Sequence, residues 1–243
     1  MLARIPVILI GIPAVYGLLV AAGDAIRMVF LALVCILGQY ELNQMLSRSN
    51  GNKPMVEWLA TLIMLPAAHF YGAPGLLMSF AMSLVCLVVF TVMRGLQGDN
   101  TQRFMRGLFS LIYLPFCLAF YLMLARADSG LTLFIILAAV WALDMGAYAF
   151  GMSIRGPKLA PAISPNKTIS GAVGGALSCA AFVIMAGHYQ LLKLSQPRLI
   201  IMAIVIATIG QIADLFESVL KRESEVKDSG ALLGAHGGVL DRI

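Results

Sequence analysis

Long apolar runs, separated by short polar connections, dominate the chain. They predict eight membrane-spanning helices at 4–22, 26–46, 56–72, 74–94, 106–125, 129–150, 170–190 and 197–220. Each has roughly the 17–25 residues that a helix needs to cross hydrocarbon. Helices are the form such runs must take, because no water satisfies backbone groups there. The third run is the weakest, since Pro66 and His69 interrupt it. The first could be read as a secretory signal with a cleavage site at Ala21-Ala22-Gly23. Its near-bilayer length and the many runs that follow favour a retained span.

Composition agrees with this pattern. Of 243 residues, 60% are hydrophobic and 12% charged, against about 25% charged in an ordinary soluble domain. The mean hydropathy is +0.90. The expected fold class is therefore an all-α polytopic membrane protein. One integral membrane domain is expected, with N-terminal helices over 1–128 and a second part over 129–243 that carries the longer polar loops.

The formal net charge of +5 is then a topology signal, not a mark of nucleic-acid binding. Thirteen of the 17 basic residues fall on the side of the N-terminus, among them Arg48, Arg103, Arg155, Lys158, Lys167, Lys221 and Arg222. The positive-inside rule makes that side cytosolic, together with the loops 151–169 and 221–243. Cys35, Cys86, Cys117 and Cys179 all lie in apolar runs without a paired spacing. They read as packing residues and suggest neither disulfides nor a zinc site.

The polar chemistry gathers at one end. Asp214 lies in the eighth apolar run, with Glu217, Ser218 and Lys221 three, four and seven residues on. These four share one helix face. An acid within a span should face protein, water or a cation. Glu217 and Lys221 also suit a plain i, i+4 salt bridge. Beyond them come Arg222, Lys227 and Asp228, then His236-Gly237-Gly238 and Asp241-Arg242. Glycines there permit tight turns and close backbone approach to an anion. Acids with several cations suit Mg²⁺-assisted phosphoryl or nucleotidyl transfer. The same cations would also serve a basic tail on anionic lipid headgroups.

Two further places add to this. Asp144 lies near the cytosolic end of the sixth run, followed by Gly146, Tyr148 and Gly151. The next loop carries Ser164, Lys167, Thr168 and Ser170. Thr168 or Ser170 suits an N-cap for the seventh helix, and a helix N-terminus beside a lysine is a ready anion site. Glu41, near the end of the second run, is a further intramembrane acid expected to pair with a basic neighbour.

The pattern Ser218-x-x-Lys221-Arg222-x4-Lys227-Asp228-x7-His236-Gly237-Gly238-x-x-Asp241-Arg242 resembles the signature of the phosphatidate cytidylyltransferases, or CDP-diacylglycerol synthases. Asp144-x-Gly146-Ala147-Tyr148-x-x-Gly151 and Ser164-Pro165-Asn166-Lys167-Thr168-x-x-Gly171 are similar to two more stretches of that family. Good agreement covers about the C-terminal 110 residues. In the N-terminal half only hydropathy and the placing of Arg4 and Glu41 agree.

The resemblance implies that CTP and phosphatidic acid give CDP-diacylglycerol and pyrophosphate. It implies Mg²⁺, with K⁺ as a second ion, and Asp214 and Asp241 as the metal-binding acids. It assigns Lys221 and Arg222 to phosphate charge. It places Asp144, Ser164, Lys167, Thr168, Ser218, Lys227, Asp228, His236, Gly237, Gly238 and Arg242 in the substrate site. Membrane lipids are the implied surroundings, a homodimer is compatible with the family, and a bacterial inner membrane is the expected location.

This sequence departs from the family pattern at Ala213, where glycine is common, and at Ser170, where glutamate is common. It also stops at Ile243, where the pattern continues with another acid and a final helix. The expectation is a truncated chain whose parent has nine spans, and whose activity suffers if the missing acid helps to hold metal. The competing readings are a cation-coupled transporter and a noncatalytic paralogue or fragment. A transporter would need acids at mid-depth on several spans.

Overall fold

The computed structural model describes residues 5–46, 55–95, 100–128, 130–226, 228–230 and 237–242. They form helices α1 (Ile5–Tyr16), α2 (Asp24–Leu46), α3 (Met55–Met93), α4 (Asn100–Leu111), α5 (Cys117–Ala127) and α6 (Leu131–Ile154). A hairpin of β1 (Lys158–Ala160) and β2 (Ser164–Thr168) follows, then α7 (Ile169–His188), α8 (Gln196–Glu223) and a last 3₁₀ turn, Leu240–Arg242. A π-helical turn, Gly17–Ala21, extends α1. Another, Ile112–Phe116, joins α4 to α5 around Pro115, which cannot donate to the helical ladder.

Among the described residues, six helical stretches are long and apolar enough to cross a membrane: α2, α3, α4 with α5, α6, α7 and α8. The protein is thus an all-α membrane protein with one small hairpin. The runs read as spans three and four are continuous in α3, except that Gly72 takes φ 65°, ψ −145° and breaks it. Pro74 follows two residues later, so neither the ladder nor the preceding backbone favours a straight rod there. The stretch read as span one is a shorter apolar helix.

The chain divides into two compact units, Met1–Ser129 with Ser224–Ile243, and Gly130–Glu223. In the first unit a polar network lies at the buried face of α2. Thr61 donates to Gln39 Oε1 at 3.0 Å, and Gln39 Nε2 donates to the Glu57 carbonyl at 3.2 Å. Arg27 is buried too, and its guanidinium donates to Asp24 and to the carbonyls of Ala22 and Ala125. Gln39, Thr61 and the terminal nitrogens of Arg27 thereby gain partners for groups taken from water.

The second unit is held by α6, α7 and α8 around Leu143, Cys179, Val183, Leu199 and Ala203. Helices α6 and α7 approach backbone to backbone. A Cβ on Gly146 would lie 2.2 Å from Ser178 Oγ, and one on Gly175 would lie 2.6 Å from the Leu143 carbonyl oxygen. Small residues allow such contact, and dispersion over the close seam holds helices together where lipid supplies no hydrophobic drive.

Candidate functional site

The 151–169 connection is built rather than loose. Helix α6 ends at Ile154; Arg155 (φ 59°) and Gly156 (φ 106°) turn the chain sharply. The strands pair antiparallel, Lys158 with Thr168 and Ala160 with Ser164, with an irregularity between. Thr168 then caps α7, its Oγ1 accepting from Gly171 N at 3.1 Å. Of the two capping candidates it is therefore Thr168 that caps, while Ser170 Oγ donates to the Arg155 carbonyl. Lys167, one residue before the cap, is fixed at the start of the helix.

These elements enclose a cavity of about 560 Å³ within the second unit. Asp144 and Tyr148 from α6, Asn166 and Lys167 from β2, and Gln211 and Asp214 from α8 supply its polar lining. Lys167 Nζ lies 2.5 Å from Asp214 Oδ2, the side chains being 26% and 52% exposed. Asp144 is near enough to interact electrostatically with both. Gly151, Thr168 and Gly171 complete the floor, where a Cβ on Gly151 would lie 3.0 Å from Thr168 Oγ1. The α6 motif is thus divided: Gly146 packs the seam, while Asp144 and Tyr148 face the cavity.

The other expected residues of this unit have local roles. Ser164 begins β2, outside the cavity lining. Ser218 Oγ donates to the Asp214 carbonyl at 2.8 Å. Lys221 pairs with Glu217 at 3.0 Å, the i, i+4 bridge legible in the sequence. Arg222 is exposed at the end of α8.

In the first unit, Asp241 is a hydrogen-bond acceptor for backbone. Its Oδ2 receives Gly238 N at 2.9 Å and Ser229 N at 3.0 Å. Gly237 has φ 79°, and a Cβ there would lie 2.5 Å from Asp241 Oδ2. That glycine therefore serves both a left-handed turn and a close approach. Asp228 is exposed. Lys227 and His236 lie outside the described residues, as does the side chain of Arg242.

Glu41 is partnered differently from expectation. It is 1% exposed, and it accepts from Val239 N at 3.0 Å, Leu240 N at 2.9 Å and Ser229 Oγ at 3.1 Å. Among the described residues its partners are these donors rather than a basic side chain. An acid inside an apolar run signalled a special role, but nothing local pointed to partners some 190 positions away. Gln211, whose amide donates to the Ala172 carbonyl at 3.1 Å, also went unread, although a polar residue within a span was its signal.

The donor set bears on a metal. Among the described residues, no group of three or more His, Cys, Asp or Glu forms a ready cage. Mg²⁺ does not require one, since it takes one or two carboxylates together with phosphate oxygens and water. Asp214, half-exposed in a cavity that Asp144 also lines, offers hard oxygen donors of that kind.

The profile of the Cytidylyltransferase family matches residues 2–243. A phosphatidate cytidylyltransferase of Bacillus subtilis (strain 168) is 35% identical over 196 residues, covering 76% of this chain and 70% of that protein. One of Staphylococcus saprophyticus is 33% identical over 227 residues, covering 91% and 85%. One of Brucella suis is 43% identical over 131 residues, covering 51% of this chain and 47% of its own length.

Proposed function

The chain belongs to the cytidylyltransferase family, and from that premise we propose that it is a CTP:phosphatidate cytidylyltransferase. The reaction joins CTP and phosphatidic acid into CDP-diacylglycerol and releases pyrophosphate. Relatives of that name match at 33–43% identity. The observation that carries the reading to particular residues is the cavity in which Asp144, Lys167 and Asp214 meet.

An oxygen of the lipid phosphate attacks the α-phosphorus of CTP. The new P–O bond forms as the bond to the bridging oxygen breaks, and pyrophosphate leaves with that electron pair. No protein nucleophile is needed, so the protein's work is positioning and charge stabilisation. A cavity of about 560 Å³ is in the range of pockets that hold nucleotide-sized ligands.

Lys167 would leave Asp214 for the phosphate oxygens. That exchange leaves the half-exposed Asp214 to water or a cation, while the buried ammonium keeps an anionic partner. The hairpin and the Thr168 cap keep Lys167 at the N-terminus of α7, where the helix dipole favours anions. Asp214 is proposed to hold Mg²⁺, with Asp144 in support; Asp241 is the other acid of the metal assignment, and K⁺ a second ion. When bound, Mg²⁺ would neutralise triphosphate charge and ease departure of pyrophosphate. Lys221 and Arg222 are proposed to take further phosphate charge, with Ser218, Lys227, Asp228, His236 and Arg242 about the substrates.

The excess of Lys and Arg on one side favours a cytosolic site and N-terminus, in a bacterial inner membrane. The test is transfer of label from [α-³²P]CTP to phosphatidate by the full-length protein in lipid nanodiscs. Mg²⁺-dependent labelled CDP-lipid is the expected product. A wild-type protein that releases no pyrophosphate and forms no CDP-lipid contradicts the proposal.

A further inference from the structure

Glu41 is a buried carboxylate that the reaction above does not use. Burying an acid is costly unless its oxygens are hydrogen-bonded. Here Oε1 takes Val239 N, while Oε2 takes Leu240 N and Ser229 Oγ. The backbone also closes around it. A Cβ on Gly230 would lie 2.6 Å from Glu41 Oε1, and one on Gly238 would lie 2.3 Å from Oε2. Two glycines thus permit the chain to reach the acid from both sides.

Val239 and Leu240 directly precede Asp241, and Ser229 is shared. Its hydroxyl binds Glu41, and its N–H binds Asp241 Oδ2. We infer that Glu41 is a positioning residue for the proposed reaction: its carboxylate fixes the backbone before Asp241 and thereby aims the Asp241 side chain. Both oxygens are needed. A glutamine in the same place has one acceptor oxygen, and its NH₂ would confront the N–H of either Val239 or Leu240. Aspartate keeps both acceptors but is one methylene short.

The kinetic arm of the test rests on the proposed function; the exchange arm does not. Hydrogen exchange at 237–242 is measured in nanodiscs for wild type, Glu41→Gln, Glu41→Asp and Ser229→Ala. Glu41→Gln is expected to raise the exchange rate about tenfold or more, because charge-assisted bonds are lost and a donor is left unpaired. Glu41→Asp should fall between, and Ser229→Ala should show a smaller rise. In the transfer assay Glu41→Gln should lower kcat by about tenfold or more, with Glu41→Asp recovering part of it.

Thr61→Val removes another buried hydrogen bond of the same unit. It should lower thermal stability without raising exchange at 237–242. Wild-type exchange at 237–242 in Glu41→Gln overturns the inference, as does raised exchange with unchanged kcat. Equal exchange in Thr61→Val and Glu41→Gln also overturns it, by reducing Glu41 to general stability. If Glu41→Gln does not fold, wild-type exchange in both Glu41→Asp and Ser229→Ala overturns it.

Discussion

Asp214 faces an ammonium group, Lys167 Nζ at 2.5 Å, with half of its side chain exposed. Asp241 instead receives the backbone N–H groups of Ser229 and Gly238, beside a glycine that allows the approach. The first partner is a side-chain ammonium, itself buried, whose acid is half in water and can be solvated without it. The second partners belong to the backbone, and charge-assisted hydrogen bonds of that kind are worth about 1.5–3 kcal/mol each. One carboxylate is thus balanced by a charge that a ligand can replace. The other is set before any ligand arrives. Two acids of one metal assignment are prepared for their work in different ways, and only the three-dimensional partners reveal it.

The contrast breaks most sharply at Asp214. Asp214→Asn should reduce transfer by about 10²–10³-fold or more, as loss of a charge-handling group at a reacting centre does, while thermal stability stays close to wild type. A variant with near-wild-type turnover would remove Asp214 from the chemistry. Lys167→Met should lower kcat/KM for CTP by about 10- to 100-fold, since a phosphate loses its charged donor. Titration of the initial rate against CTP separates this from a loss of fold.

Effects on the scaffold should be smaller and should appear in stability. Gly146→Val forces a side chain into Ser178 and should cost about 1–3 kcal/mol by overpacking, read as a lower melting temperature in nanodiscs. Thr168→Val loses the α7 cap and should cost about 1 kcal/mol. If its loss in kcat/KM for CTP matched that of Lys167→Met, the cap would have to do more than hold Lys167 in place.

Much of this was open to reading along the chain. Long apolar runs announce helices because hydrocarbon leaves the backbone no other partner. Thr168 before an apolar run and Glu217 four residues before Lys221 are local signals, and both formed as expected. The hairpin gave no such signal. Its second strand, Ser-Pro-Asn-Lys-Thr, has no alternation, and a proline sits in it, which is tolerated only at an edge. The gap between the runs 56–72 and 74–94 marked a break, but not that the helix resumes at once. Glu41 was conspicuous as an acid in an apolar run, yet two of its three described donors are backbone groups far along the chain, and backbone groups carry no residue signature. The backbone partners of Asp241 were likewise hidden, because its turn is defined by φ angles rather than by residue types alone.

The contrast between the acids is tested most directly by hydrogen exchange at 237–242, compared between Asp214→Asn and Asp241→Asn in the same nanodiscs. The account predicts that Asp241→Asn raises exchange there by about tenfold or more, while Asp214→Asn leaves it at the wild-type rate. Unchanged exchange in Asp241→Asn, or an equal rise in both, would contradict it.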